Sequence, residues 1–237
     1  MPRVEGFRLS SGAAYASLLL ILMCHAGGAQ EDNSRSGSGV VASAADRRNP
    51  ELTPGGLAAL YCKEMTGDPA KTTVEVNGIR ATVMYASETQ INFIVPEQAS
   101  SGTARVVASS ASGRQSIAVA PLREVSPSLF TRAANGIGEV SALDAVRRTS
   151  GPFPTGLDTL ITILGTGIRN AKEVAVSVGG RATPVTSFGP EGRSAGLDQV
   201  TIRIPPGFAG QGALPLELTA DGRTSGKGVT LTLIPPK

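Results

Sequence analysis

Gln90-Ile91-Asn92-Phe93-Ile94-Val95-Pro96 and Gln199-Val200-Thr201-Ile202-Arg203-Ile204-Pro205 are the stretches that decide the fold. Each is a short run rich in β-forming residues and closed by a proline, which has no N–H to give a sheet ladder. They superpose at a shift of 109 positions, and at the same shift Gly113-Arg114-Gln115-Ser116 falls on Gly222-Arg223-Thr224-Ser225. Earlier in each half, Gly78-Ile79-Arg80-Ala81 falls on Gly179-Gly180-Arg181-Ala182 at a shift of 101. Blocks recurring in one order predict a duplicated unit of roughly 80–100 residues, the size of an immunoglobulin-like sandwich.

Outward from these blocks, short apolar runs alternate with turn signals at intervals of about ten residues. Residues 74–76 and 81–85 flank Asn77-Gly78, a dipeptide that favours a hairpin turn. Residues 103–108 and 115–119 follow. In the second half, residues 160–164 run into Gly165-Thr166-Gly167, and 174–178 turn at Gly179-Gly180 into a strand over 182–185. Residues 199–204, 214–218 and 229–233 complete the set, with Asp221-Gly222 turning between the last two. The composition agrees: Gly 29, Pro 16, no Trp and 17% charged residues suit strands and turns better than helices. The expected fold is all-β, two tandem immunoglobulin-like sandwiches over residues 40–122 and 156–237. Residues 123–155 connect them, and a connection of that length is expected to pack on one domain or add an edge strand.

These blocks resemble the Solibacter-type C-terminal domain found in many secreted proteins of acidobacteria. The resemblance rests on Val74-Glu75-Val76-Asn77-Gly78-Ile79-Arg80-Ala81, on Gln90-Ile91-Asn92-Phe93-Ile94-Val95-Pro96, its most specific part, and on Ser126-Pro127-Ser128-Leu129-Phe130-Thr131. It continues in Leu164-Gly165-Thr166-Gly167 and in Gln199-Val200 leading to Ile204-Pro205. It implies units similar to the IPT/TIG type of immunoglobulin fold and an extracellular or envelope setting. It implies no activity and no catalytic residues. The first unit departs from the family: where a Gly-Thr-Gly turn is usual, Cys62-Lys63-Glu64-Met65 stands. The family domain also usually follows a larger region.

The N-terminus reads as a secretory signal over residues 1–29. Arg3 and Arg8 precede an apolar stretch, and small residues Gly27, Gly28 and Ala29 place the cut between Ala29 and Gln30. The stretch is shorter than the roughly 20 residues a bilayer span needs, so the mature chain is expected to lack a transmembrane segment. Lipid anchoring at Cys24 is disfavoured because Met23, not a small residue, precedes it. Residues 30–39, polar and Gly/Ser-rich, read as a flexible leader. Cleavage removes His25, the single histidine, and with it any Ser-His-Asp triad, Cys-His pair or imidazole-dependent zinc site. Without Arg3, Arg8 and Glu5, the 22 basic and 19 acidic residues become 20 and 18. That small, dispersed excess, without aromatic residues among the basic ones, argues against nucleic acid.

The candidate chemistry is sparse. Cys62 would be the one mature cysteine, and with no histidine to activate it the reading is a buried apolar residue. Gly165-Thr166-Gly167 follows a strand, yet Asn170 stands where a dinucleotide loop needs a third glycine, so a strand-end turn is expected and no cofactor. Asp158, Glu173, Glu191, Asp198, Glu217 and Asp221 are scattered; a glycosidase pair among them is the weaker reading beside solvated charge. No Asp-x-Asp pattern suggests calcium. Phe93 alternates with Ile91 and Val95 and is expected in the core, whereas Tyr85, Phe188 and Phe208 lie near strand ends or loops as candidate sugar platforms. The expectation is a secreted or envelope-associated, non-enzymatic binding or adhesion module, with a protein or glycan partner at the cell surface. A polysaccharide-binding protein, a carboxylate-based glycoside hydrolase and a structural spacer are the alternatives.

Overall fold

The computed structural model describes residues 36–65, 68–155 and 159–236. The expected signal segment with its cut at Ala29 and Gln30, Cys24, His25, most of the leader and Asp158 lie outside the described residues. Among the described residues there is no α-helix; two 3₁₀ turns, Pro69–Lys71 and Pro206–Phe208, lie among the strands. No helix there is long and apolar enough to cross a membrane. The first half contributes β1 (Ser36–Ser38), β2 (Val40–Ser43), β3 (Leu57–Tyr61), β4 (Thr73–Val76), β5 (Ile79–Ala86), β6 (Gln90–Ile94), β7 (Gly102–Ser109) and β8 (Gln115–Leu122). Short strands β9 (Ser128–Leu129), β10 (Gly138–Glu139), β11 (Ala142–Asp144) and β12 (Phe153–Pro154) follow. The second half continues with β13 (Thr159–Thr166), β14 (Val174–Val178), β15 (Arg181–Thr183), β16 (Val185–Pro190), β17 (Asp198–Ile204), β18 (Gly212–Ala220), β19 (Arg223–Thr224) and β20 (Val229–Ile234).

One strand changes layers in the first half. Residues 79–81 of β5 pair with β4 and residues 82–86 pair with β6, with a register shift inside this second pairing, between Val83 and Tyr85. The strand order is therefore continuous, β1-β8-β7-β4-β5-β6-β3-β2. A bulge lets a strand bend from one sheet of a sandwich into the other. Leu60, Val74, Val76, Ile91, Phe93, Val106 and Leu122 fill the core between the layers. Each such side chain contributes about 1.5–3 kcal/mol by leaving water.

The second half breaks that strand in two. β15 pairs with β14, β16 pairs with β17, and Pro184 stands between them. Residues 182–185, expected as one strand, are thus divided, because proline cannot donate to a ladder. Two sheets result, one ordered β10-β20-β18-β14-β15 and one ordered β11-β13-β17-β16. Ile161, Ile163, Val200, Ile202, Leu218 and Leu231 are buried in a second core. Alternation sets the faces: Val200, Ile202 and Ile204 point inward while Arg203 is exposed.

Turn chemistry fixes register in both halves. Asn77-Gly78, Gly179-Gly180 and Asp221-Gly222 all hold positive φ at both positions (51° and 81°, 57° and 75°, 47° and 76°). These are type I′ turns, whose twist matches that of the flanking strands. They close the pairs Val76 with Ile79, Val178 with Arg181 and Ala220 with Arg223.

Residues 123–155 join the second half: β9 and β11 pair with β13, and β10 and β12 run parallel to β20. Val125, Leu129, Val140, Ala142 and Phe153 enter the second core. The leader also differs from its expected flexibility at its C-terminal end. Ser36–Ser38 pair in parallel with residues 115–117 of β8, and the Gly39 N–H donates to the Ile117 carbonyl at 2.8 Å. Ladder bonds need backbone alone, so a Ser/Gly segment can cover a bare sheet edge. Contacts join the described residues of both halves into one compact unit.

Candidate functional site

The turn after β2 carries the first cross-connection. Asp46 is buried and accepts from Arg48 at both oxygens, Nε to Oδ1 at 2.9 Å and Nη2 to Oδ2 at 2.8 Å. The same Nη2 reaches the Gly136 carbonyl at 2.7 Å and the Lys227 carbonyl at 3.1 Å. Backbone closes tightly around this pair: a Cβ on Gly136 or on Gly226 would overlap the Asp46 carboxylate. Glycine is required at 136 twice over, since its φ is 76°.

Asn49 and Glu51 extend the connection. Asn49 Nδ2 donates to Ser126 Oγ and Ser128 Oγ, each at 2.9 Å, and its Oδ1 accepts the Glu51 N–H at 3.0 Å. Glu51 Oε2 accepts from Ser126 Oγ at 2.8 Å and pairs with Arg223, which the Asp221-Gly222 turn delivers from the second half. Arg123 Nε lies 3.5 Å from Oε1. Burial pushes the Glu51 carboxyl up, but Arg223, Ser126 and Arg123 together hold it below its ordinary value. It is ionised at neutral pH and has no proton to donate as a general acid.

These groups line a groove of about 630 Å³ between the halves, among them Arg48, Asn49, Glu51, Ser126, Arg223 and Lys227. That volume lies within the range of small-ligand sites.

A second, drier junction lies at Gly165-Thr166-Gly167. Thr166 Oγ1 accepts the Leu57 N–H of the first half at 2.8 Å and donates to the Gly196 carbonyl at 2.9 Å. The Gly167 carbonyl accepts the Ser126 N–H at 3.1 Å, and a Cβ on Gly167 would overlap the Ser126 carbonyl oxygen. A phosphate loop needs free N–H groups around open space; here the chain itself fills that space. Next to it, Asp198 is fully buried and accepts from the Ile168 and Arg169 N–H groups at 2.8 and 3.1 Å and from Arg169 Nε at 2.8 Å. Burial pushes the Asp198 carboxyl up, against the pull of Arg169 and the two N–H groups. Asn170 Nδ2 donates to the carbonyls of Pro54 and Glu124 at 3.1 and 3.3 Å.

The aromatic candidates are not gathered. Tyr85 is half-buried on β5, and Phe188 is 37% exposed on the edge strand β16. Phe208 is corrected: it is 2% exposed within the second core, and Arg181 stacks 3.7 Å above its ring, so it offers no platform. The single turn Pro206–Phe208 folds the side chain inward, which a position near a strand end does not reveal.

The acidic candidates mostly serve the backbone. Asp221 accepts the Lys172 and Glu173 N–H groups, Glu191 those of Arg193 and Ser194, and Glu217 stands exposed on β18. Among the described residues no three His, Cys, Asp or Glu side chains gather as a metal site. Cys62 is buried, and burial pushes its thiol up to about 11. Sequence reasoning missed Asp46, Arg48, Asn49 and Glu51, which follow no motif. Thr166 had a signal in its flanking glycines.

No family model matches the chain, and no curated protein matches it. Among solved structures it is similar to SGBP-B of the Bacteroides ovatus mixed-linkage glucan utilization locus, solved in complex with a mixed-linkage heptasaccharide. The identity is 20% over 77% of this chain and 43% of that one, with a TM-score of 0.36. The full extracellular region of plexin A4 matches at 13% identity over 77% and 17% of the two chains, TM-score 0.30. An auxiliary nutrient binding protein from Bacteroides ovatus matches at 12% over 84% and 60%, TM-score 0.28. The chain spans less than two thirds of the length of each of these structures.

Proposed function

We propose that this chain is a non-enzymatic binding module, secreted or held at the cell envelope, that receives a glycan in the groove between its halves. The groove itself carries this reading: it encloses about 630 Å³, and the Asn49, Glu51 and Arg223 side chains along it are already fixed by cross-bonds. Fixed planar donors lose little freedom when a hydroxyl-rich ligand arrives. The signal-like N-terminus and the resemblance to Solibacter-type domains support the setting.

The groove chemistry disfavours hydrolysis. A glycosidase needs one protonated carboxyl opposite one free carboxylate. Asp46 and Glu51 are each bound to a guanidinium, and Glu51 is held below its ordinary value. A spacer role is the second reading, favoured by the number of polar bonds that tie the halves.

The test is affinity electrophoresis of the chain through a broad panel of polysaccharides, followed by calorimetry on retained ones. Retardation by at least one glycan, without release of reducing ends, is expected. Arg223→Ala is expected to lower that affinity about tenfold or more. Migration unaffected by every glycan would leave the spacer reading in its place.

A further inference from the structure

We infer that the groove selects an acidic glycan, one bearing uronate carboxylates, an inference that rests on the binding role proposed above. The donor and acceptor inventory of the groove is lopsided. Both Asp46 oxygens are taken by Arg48, with the Arg48 N–H also on Oδ1 at 2.9 Å. Glu51 Oε2 is taken by Ser126 and Arg223, and Arg123 faces Oε1. Both Asn49 Nδ2 hydrogens and its Oδ1 are engaged, and Ser126 Oγ both gives and receives. Little accepting capacity remains for a ligand.

Donors remain in excess. A guanidinium has five N–H groups and an ammonium three. Arg223 spends its Nη2 on Glu51 and is otherwise exposed. Lys227 lends its carbonyl to Arg48, while its ammonium, on an exposed residue lining the groove, has no acidic partner among the described residues. Arg48, Arg223 and Lys227 line the groove with Asp46 and Glu51, so one positive charge, that of Lys227, stays unbalanced there. A neutral sugar offers hydroxyls that both donate and accept, and half of that capacity would go unmet. A carboxylate only accepts, and its planar pair of oxygens suits the free edge of a guanidinium.

The experiment is calorimetric titration of the chain with oligogalacturonate and oligoglucuronate, each beside its methyl ester, and with a sulfated galactan. The ester keeps the sugar and removes the charge. The acid form of one uronate is expected to bind at least about tenfold tighter than its ester, and raising salt from about 50 to 500 mM to weaken the acid form alone. Lys227→Gln is expected to weaken the acid form about fivefold more than it weakens the ester. The residue is exposed and its structural bond uses backbone, so folding is spared; the salt series needs no variant at all. Equal affinity for acid and ester overturns the acidic preference while leaving a glycan role standing. Binding of the sulfated galactan but of neither uronate overturns the carboxylate assignment. Absence of binding to these probes and to the neutral panel overturns both readings.

Discussion

Glu64 and Gly167 share a left-handed backbone, φ 54° and 76°, each three positions beyond a residue paired with a glutamine. Tyr61 faces Gln90 and Leu164 faces Gln199, and each left-handed residue lies three positions further on. Glycine adopts this conformation freely, whereas a Cβ costs about 1–2 kcal/mol there. Glu64 accepts that cost and gains an ion pair with Arg114.

The comparison of Glu64→Gly with Glu64→Ala isolates the strain, since both lose the ion pair. Glycine is expected to be the more stable by about 1 kcal/mol in urea unfolding, the reverse of the usual order. Gly167→Ala is expected to cost about 3 kcal/mol, because strain adds to overlap with the Ser126 carbonyl. Equal stability of the two Glu64 variants would remove the strain argument.

Thr166→Val keeps shape and removes the hydroxyl that joins Leu57 N–H to the Gly196 carbonyl. Both partners are then left buried and unpaired, so a loss of about 1–3 kcal/mol is expected by chemical denaturation. Amide exchange at Leu57 should accelerate more than exchange at Phe93, whose surroundings the substitution leaves intact. Uniform acceleration across the first half would mean that Thr166 supports the half globally rather than that one bond.

What was legible in the chain was local. The three two-residue turns announce themselves as Asn-Gly, Gly-Gly and Asp-Gly, and Pro96 and Pro205 end their strands, because φ and donor rules act within a few residues. Pro184 carried the same information, and reading through it merged two strands into one. Phe208 departs from its expected exposure because a single 3₁₀ turn reverses which way a side chain faces. The groove was illegible for a different reason: Arg48 bonds a carbonyl 179 residues away, and Arg223 and Glu51 are 172 apart. No periodicity links such positions; they meet because the two halves of the chain pack together.

Glu51 gives the junction a pH dependence. Its folded carboxyl titrates below the ordinary 4.5, so between those values the native state holds fewer protons than the unfolded chain. The resulting stability is complete above pH 4.5 and is lost as pH falls through the folded value. With its side chain 19% exposed and Arg223 42% exposed, solvent screens the pair, and about 1 kcal/mol is expected from it. Glu51→Gln should therefore be less stable than the parent by about that amount at pH 7, with the gap narrowing as pH falls below 4.5. A gap that stays constant across this range would assign the loss to packing.

Cys62 supplies the remaining prediction, in the opposite pH direction. Its thiol is buried without a disulfide partner among the described residues, and burial raises it from 9.0 to about 11. Thiolate is the reactive form, so at pH 8 only about one native molecule in a thousand carries it. In a chain with Cys24→Ser, labelling of Cys62 by an aromatic disulfide reagent should be negligible without denaturant and should follow the urea transition. The same shift couples to stability. Above pH 9.0 the unfolded thiol ionises while the native one stays protonated, so stability falls as pH rises from 9.0 to about 11. Cys62→Ala should lose that alkaline slope while costing some packing at neutral pH. Rapid labelling of the native chain at pH 8 would place the thiol within reach of solvent and restore a reactive role for it.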